Sequence, residues 1–211
     1  AEKLASILKI FGEKSGRRGM VFGQMLDLEY EQKLSGEKKM SVEAVNEVNR
    51  YKTGCLLQLS LLAGAINGGA SDNELKEFDK LGAAIGDVFQ IKDDIFDYSD
   101  LEDLGKPTMS DLRDGKVTLP LIIALQRAPK PEADHIRQLG ELVATESESP
   151  ETEKRLEEIK SFVLRFQGNE YAVQKMLAYK KQAIEALRVF HDSKTKESLL
   201  ALLDYAIHRI Q

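Results

Sequence analysis

Apolar residues recur along this chain at spacings of three and four, and the strict alternation of a half-buried strand is absent, so the pattern predicts an all-α protein. A first short helix ends near Gly16, and a second runs from about Arg18 to Leu34, before an SGEKK turn. Ser41 can cap a third helix that reaches about Asn67, where Gly68 and Gly69 stop it. Ser71 with Glu74 has the spacing of a capping box, and it opens a helix with apolar positions Leu75, Phe78, Leu81, Ile85 and Phe89. That helix continues into a cluster of aspartates. A loop from about Ser99 to Val117 contains Gly105, Pro107 and Gly115; the following helix has Thr118 as its expected cap and Pro120 in its first turn. Pro129 and Pro131, the SESESP stretch and Gly168 divide the remainder, and the last two helices span roughly Asn169 to Phe190 and Lys194 to Arg209. No internal repeat is present.

Length adds that 211 residues suffice for one sizeable core, so residues 1–211 are expected to form a single domain. The 35 acidic and 30 basic residues leave a net charge of -5, without the basic excess of a nucleic-acid binder, so no nucleic-acid partner is expected. Cys55 is the only cysteine, which excludes an intrachain disulfide framework or a thiolate zinc site and fits a reducing, cytoplasmic setting. The longest apolar run, Leu56 to Ile66, is interrupted by Gln58 and Ser60 and falls short of the ~20 residues of a membrane span. The opening AEKLASILKIFGEKSG reads as amphipathic helix, not signal peptide, and as a start in mid-structure.

Candidate chemistry concentrates between Gly86 and Pro120, where nine carboxylates stand among four basic residues. At about 3.6 residues per turn, Gln90, Asp93, Asp94 and Asp97 share one helical face. Like charges at these spacings repel, and the nearby helix C-terminus adds an unfavourable dipole, so a compensating cation is expected. Carboxylate oxygens without histidine or cysteine suit a hard cation, and magnesium commonly bridges one or two carboxylates to substrate phosphates. The following loop supplies Lys106, Arg113 and Lys116 beside Gly105 and Gly115, which completes a charge-balanced set for a magnesium-bound phosphate ester. A solvated acidic helix end followed by a charged surface loop is the alternative for DDxxD alone. An EF-hand is excluded because the sixth position from Asp93 is Tyr98, not glycine. His135, His191 and His208 lack metal-ligand spacing.

GDVFQIKDDIFD followed by LGKPTMSD and GKVTLP resembles the second aspartate-rich region of the trans-isoprenyl diphosphate synthases. Lys52, Thr53 and Gly54 resemble the KT motif of that family; Gly23, Gln24, Asp27 and Leu28 resemble its GQxxDL motif, and LLALLDYAIHRIQ its last helix. The resemblance implies an isoprenoid-synthase-type helical bundle around a central cavity, which joins isopentenyl diphosphate to an allylic diphosphate. In that mechanism magnesium draws off the allylic diphosphate, the isopentenyl double bond attacks the carbocation, and the released diphosphate takes the proton. It further implies Asp93 as the main magnesium ligand, with Asp94 and Asp97 as ligands through water or through partners, and Asp111 holding the loop through a metal-bound water. Lys52 and Lys106 would grip the allylic diphosphate, Thr53 and Gln90 would turn oxygen dipoles to the carbocation, and Lys116 would support the closed loop. Gln24 and Asp27 would belong to the substrate site, and the protein would be a homodimer.

Gly54 within a helix and a back-bonding Thr53 predict a kink at the KT motif; a small residue that admits a close helix neighbour is the other explanation. Gln24 and Asp27, taken alone, could equally be an ordinary polar stripe. The first aspartate-rich motif of the family, and the basic residues around it, have no counterpart in this sequence. Two expectations follow: a C-terminal portion of a synthase, inactive by itself, or a non-catalytic accessory subunit of a heteromeric synthase. Product length would be set by residues near the first motif; GQMLDL leans toward short-chain products.

Overall fold

In the computed structural model, which describes residues 1–30, 34, 40–99 and 109–208, the described residues are helices joined by turns and loops. Helices α1 (Glu2–Ser15), α2 (Met20–Tyr30) and α3 (Val42–Asn49) come first. A π-helical turn, Arg50–Gly54, joins α3 directly to α4 (Cys55–Gly68), and α5 (Asp72–Phe96) is the longest described helix. After the short α6 (Ser110–Arg113) come α7 (Leu119–Arg127), α8 (Lys130–Thr145), α9 (Pro150–Arg165), α10 (Gly168–Ala186) and α11 (Lys194–His208). None of the described helices is long and apolar enough to cross a membrane.

Local sequence accounts for most of these boundaries. Ser41 Oγ accepts the Ala44 N–H at 3.1 Å, as an N-cap should. Gly69 follows α4 at φ 86°, where a side chain would be strained, and returns its N–H to Ile66. The capping box is reciprocal, because Ser71 N–H donates to Glu74 Oε2 at 2.7 Å and Glu74 N–H donates to Ser71 Oγ at 3.4 Å. Two local expectations are corrected. The stretch read as loop contains α6, and Thr118 precedes α7 without a side-chain cap.

The chain falls into two compact units: Ala1–Asp27, Asn46–Lys92 and Lys175–Gln211 in the first, Leu28–Val45 and Asp93–Gln174 in the second. Neither unit is one continuous stretch. In the first, α1 packs on α4, and the core includes Leu62, Leu81, Ile85, Val88, Ile91, Leu187 and Leu203. In the second, α7, α8 and α9 pack on one another around Leu119, Leu121, Ile136, Val143, Ile159 and Val163. The aspartates at the end of α5 belong to this second core region, while Gln90, one turn earlier on the same helix, belongs to the first unit.

Candidate active site

The second unit builds the aspartate-rich end of α5 into an anchor for the residues after it. Asp94 is 3 % exposed, and its Oδ2 accepts the N–H of Leu119, the first residue of α7, at 3.0 Å. It therefore does the work expected of Thr118. The Thr118 hydroxyl instead pairs with the buried Tyr98 hydroxyl at 2.9 Å. Asp97 lies just past Phe96, the last residue of α5. Its backbone oxygen accepts the Met109 N–H at 2.9 Å, and its Oδ1 faces the Ser110 hydroxyl and the Asp111 N–H, each at 3.3 Å.

Burial, followed by the neighbouring Asp111 charge, pushes the Asp97 carboxyl up to about 6, against the opposing bonds from Asp111 and Ser110. Asp97 Oδ2 is buried without a hydrogen-bond partner. Oxygen donors, an unpartnered buried carboxylate oxygen and a neighbouring like charge together suit a hard cation. Asp93 is half-buried. The three aspartates are not gathered as one cluster: among the described residues no group of three or more His, Cys, Asp or Glu side chains is arranged to hold a metal. Asp94 is engaged by the Leu119 N–H, and Asp97 by the Ser110 hydroxyl and the Asp111 N–H.

The cations of this region divide. Lys116 pairs with Asp114 at 3.2 Å and Asp111 at 3.4 Å; burial alone would lower its ammonium, but these two carboxylates hold it above its ordinary value. Arg113 was expected beside the phosphate, yet its Nη2 donates to Glu153 of α9 at 2.6 Å. Lys106 lies outside the described residues, as do Gly105 and Pro107.

In the first unit, the irregularity expected at the KT motif is the π turn itself, a form that recurs at functional sites. The explanation of Gly54 as the small residue that admits a neighbour is corrected: a β-carbon there would meet only the Asn49 carbonyl oxygen at 3.6 Å, and the close approach of α5 is allowed by Gly86, where a β-carbon would lie 2.7 Å from the Gly54 Cα. The Thr53 hydroxyl faces α5 and donates to Gln90 Oε1 at 3.1 Å. Lys52 pairs with Asp27 of α2, while Gln24 is exposed on that helix. Phe22 meets Tyr51 edge-on at 5.0 Å between ring centres. The structure thus joins the GQxxDL and KT motifs.

Asp87 is the site-region residue that sequence reasoning missed. Burial pushes its carboxyl up to about 6, while Arg50 and Lys175 pull it down. A signal was available: an acid three residues after Ala84 and four before Ile91 interrupts an apolar helical stripe.

Comparison with known proteins decides the family, since the family model described as Polyprenyl synthetase matches residues 2–159. The chain belongs to the polyprenyl synthetase family. Its similarity to a short chain isoprenyl diphosphate synthase of Methanothermobacter thermautotrophicus is 35% identity over 188 residues, covering 89% of this chain and 54% of that protein. A geranylgeranyl pyrophosphate synthetase from Pyrococcus horikoshii superposes with a TM-score of 0.84 at 27% identity, covering 99% of this chain and 60% of the other. A polyprenyl synthase from Caulobacter crescentus, solved with calcium and isoprenyl diphosphate, gives a TM-score of 0.82 at 25% identity over 96% of this chain and 58% of that one. The fold is accordingly the all-α fold of this family. The chain spans about half the length of the curated relatives it matches.

Proposed function

We propose that this protein is a trans-prenyltransferase that joins isopentenyl diphosphate to an allylic diphosphate through an allylic carbocation, giving a longer trans-prenyl diphosphate. The observation that carries the proposal is the anchoring of residues 109–119 on the DDIFD end of α5, in a member of the polyprenyl synthetase family. Asp94 and Asp97 hold the two ends of that stretch, and Lys116 stands within it. The synthase names of the relatives favour an enzyme over the accessory subunit.

Asp93 is proposed as the main magnesium ligand, with Asp94 and Asp97 acting through water or through partners; the calcium in the Caulobacter structure supports a divalent cation. Magnesium, when bound, supplies electrostatic stabilisation of the charge that develops on the departing diphosphate. Lys52, Lys106 and Lys116 are proposed to bind diphosphate oxygens, and Gln24 and Asp27 are proposed as substrate-binding residues on the family resemblance. Thr53 and Gln90, already joined by a hydrogen bond, present oxygen lone pairs that favour a cationic carbon. A homodimer is proposed on family resemblance, and a cytoplasmic setting on the sequence having one cysteine and hence no intrachain disulfide framework.

The test is product formation from isopentenyl and dimethylallyl diphosphates with magnesium by the protein that carries this sequence. Asp93→Ala is expected to remove turnover, a loss of at least about 100-fold. Wild-type turnover in that variant would sink the metal assignment, and no product from the unsubstituted protein would sink the reaction.

A further inference from the structure

Asp27 and Lys52 are each assigned above to the ligand, yet the structure joins them to one another. Gly23 and Asp27 stand four residues apart on α2 and so share a face. At Gly23 the backbones touch: a β-carbon there would lie 2.2 Å from Lys52 N and 2.6 Å from Tyr51 C. One turn later the Asp27 carboxylate, 19% exposed, takes the Lys52 ammonium, 34% exposed. The backbone of the π turn and the tip of its lysine are therefore both held by one helix. Lysine otherwise carries its charge on a flexible four-carbon stem that has no fixed aim.

We infer that Asp27 is a positioning residue: it sets where the Lys52 ammonium sits and acts on a bound anion only through that lysine. This rests on the proposed role of Lys52 in binding diphosphate. Direct contact of Asp27 with the ligand is electrostatically unfavourable, because a carboxylate repels diphosphate. A side chain that works through Lys52 must lose its influence when Lys52 is gone, whereas one that touches the ligand keeps it.

The probe is inorganic diphosphate with magnesium, titrated calorimetrically into the protein that carries this sequence. Asp27→Glu keeps the charge and lengthens the side chain by one methylene, so it displaces the ammonium at unchanged net charge. It is expected to weaken binding about fivefold when Lys52 is present, and by less than about twofold in a Lys52→Met background. Equal losses in both backgrounds, or none in either, would overturn the inference. The proposed role of Lys52 fails separately, if Lys52→Met binds as tightly as the unsubstituted chain or if that chain binds nothing. A second measurement needs no ligand: urea unfolding of Asp27→Asn, Lys52→Met and the double variant should show a coupling of about three- to tenfold in the unfolding constant. A coupling indistinguishable from unity would overturn the pairing itself.

Discussion

Gly86 and Gly64 allow one substitution to be tried at two helix-interior positions with opposite expected signs. Alanine gains about 1 kcal/mol over glycine in a helix interior through backbone entropy, and nothing lies within 4 Å of a β-carbon built on the exposed Gly64. Gly64→Ala should raise the melting temperature by about 2–4 °C. At Gly86 the new methyl would lie 2.7 Å from the Gly54 Cα and 3.3 Å from its N, atoms of backbone that cannot rotate away. Separating the two helices loosens the Leu81, Ile85 and Val88 packing, and overpacking of this kind typically costs about 1–3 kcal/mol. After the propensity gain, a net loss of about 1 kcal/mol remains, with a fall in melting temperature of about 2–4 °C. Thermal unfolding followed by circular dichroism measures both variants. A Gly86→Ala protein that melts at or above the wild-type temperature would refute the close helix contact.

Asp94→Ala should destabilise the protein by about 1–3 kcal/mol in urea unfolding, since it strands the buried Leu119 N–H; an unchanged midpoint would remove Asp94 as the α7 anchor. Tyr98→Phe deletes a buried hydroxyl and leaves that of Thr118 without its partner, for an expected loss of about 1–2 kcal/mol by the same measurement; a neutral result would place no weight on that pair. For Asp87, the folded carboxyl near 6 lies above its ordinary value, so the folded state holds the proton more tightly than the unfolded chain. Its stabilising contribution is complete below about pH 4 and disappears as pH rises through 6. Asp87→Asn should therefore match the wild type near pH 4 and exceed it above pH 7, by up to about 2–3 kcal/mol; an advantage independent of pH would contradict this origin.

Helix class and most helix ends were legible in the sequence because their causes act within one turn. The Ser41 cap, the Ser71–Glu74 capping box and the Gly69 stop each involve residues three or four apart, and each is found as expected. The three family motifs were legible for a different reason, since their residue types and order survive without knowledge of their partners. Partners were the part left open. Thr118 had the right chemistry and position for a cap, but a carboxylate 25 positions earlier reached the Leu119 N–H. Asp27 and Lys52 looked like two separate ligand groups until α2 and the π turn met at Gly23. Asp97 was expected beside a metal, and its Oδ1 takes the Ser110 hydroxyl and the Asp111 N–H, 13 and 14 positions later. Local hydrogen-bond geometry sets where helices form, whereas the choice among many chemically suitable partners is made by packing between distant segments, which brings one candidate within bonding distance and turns the others away.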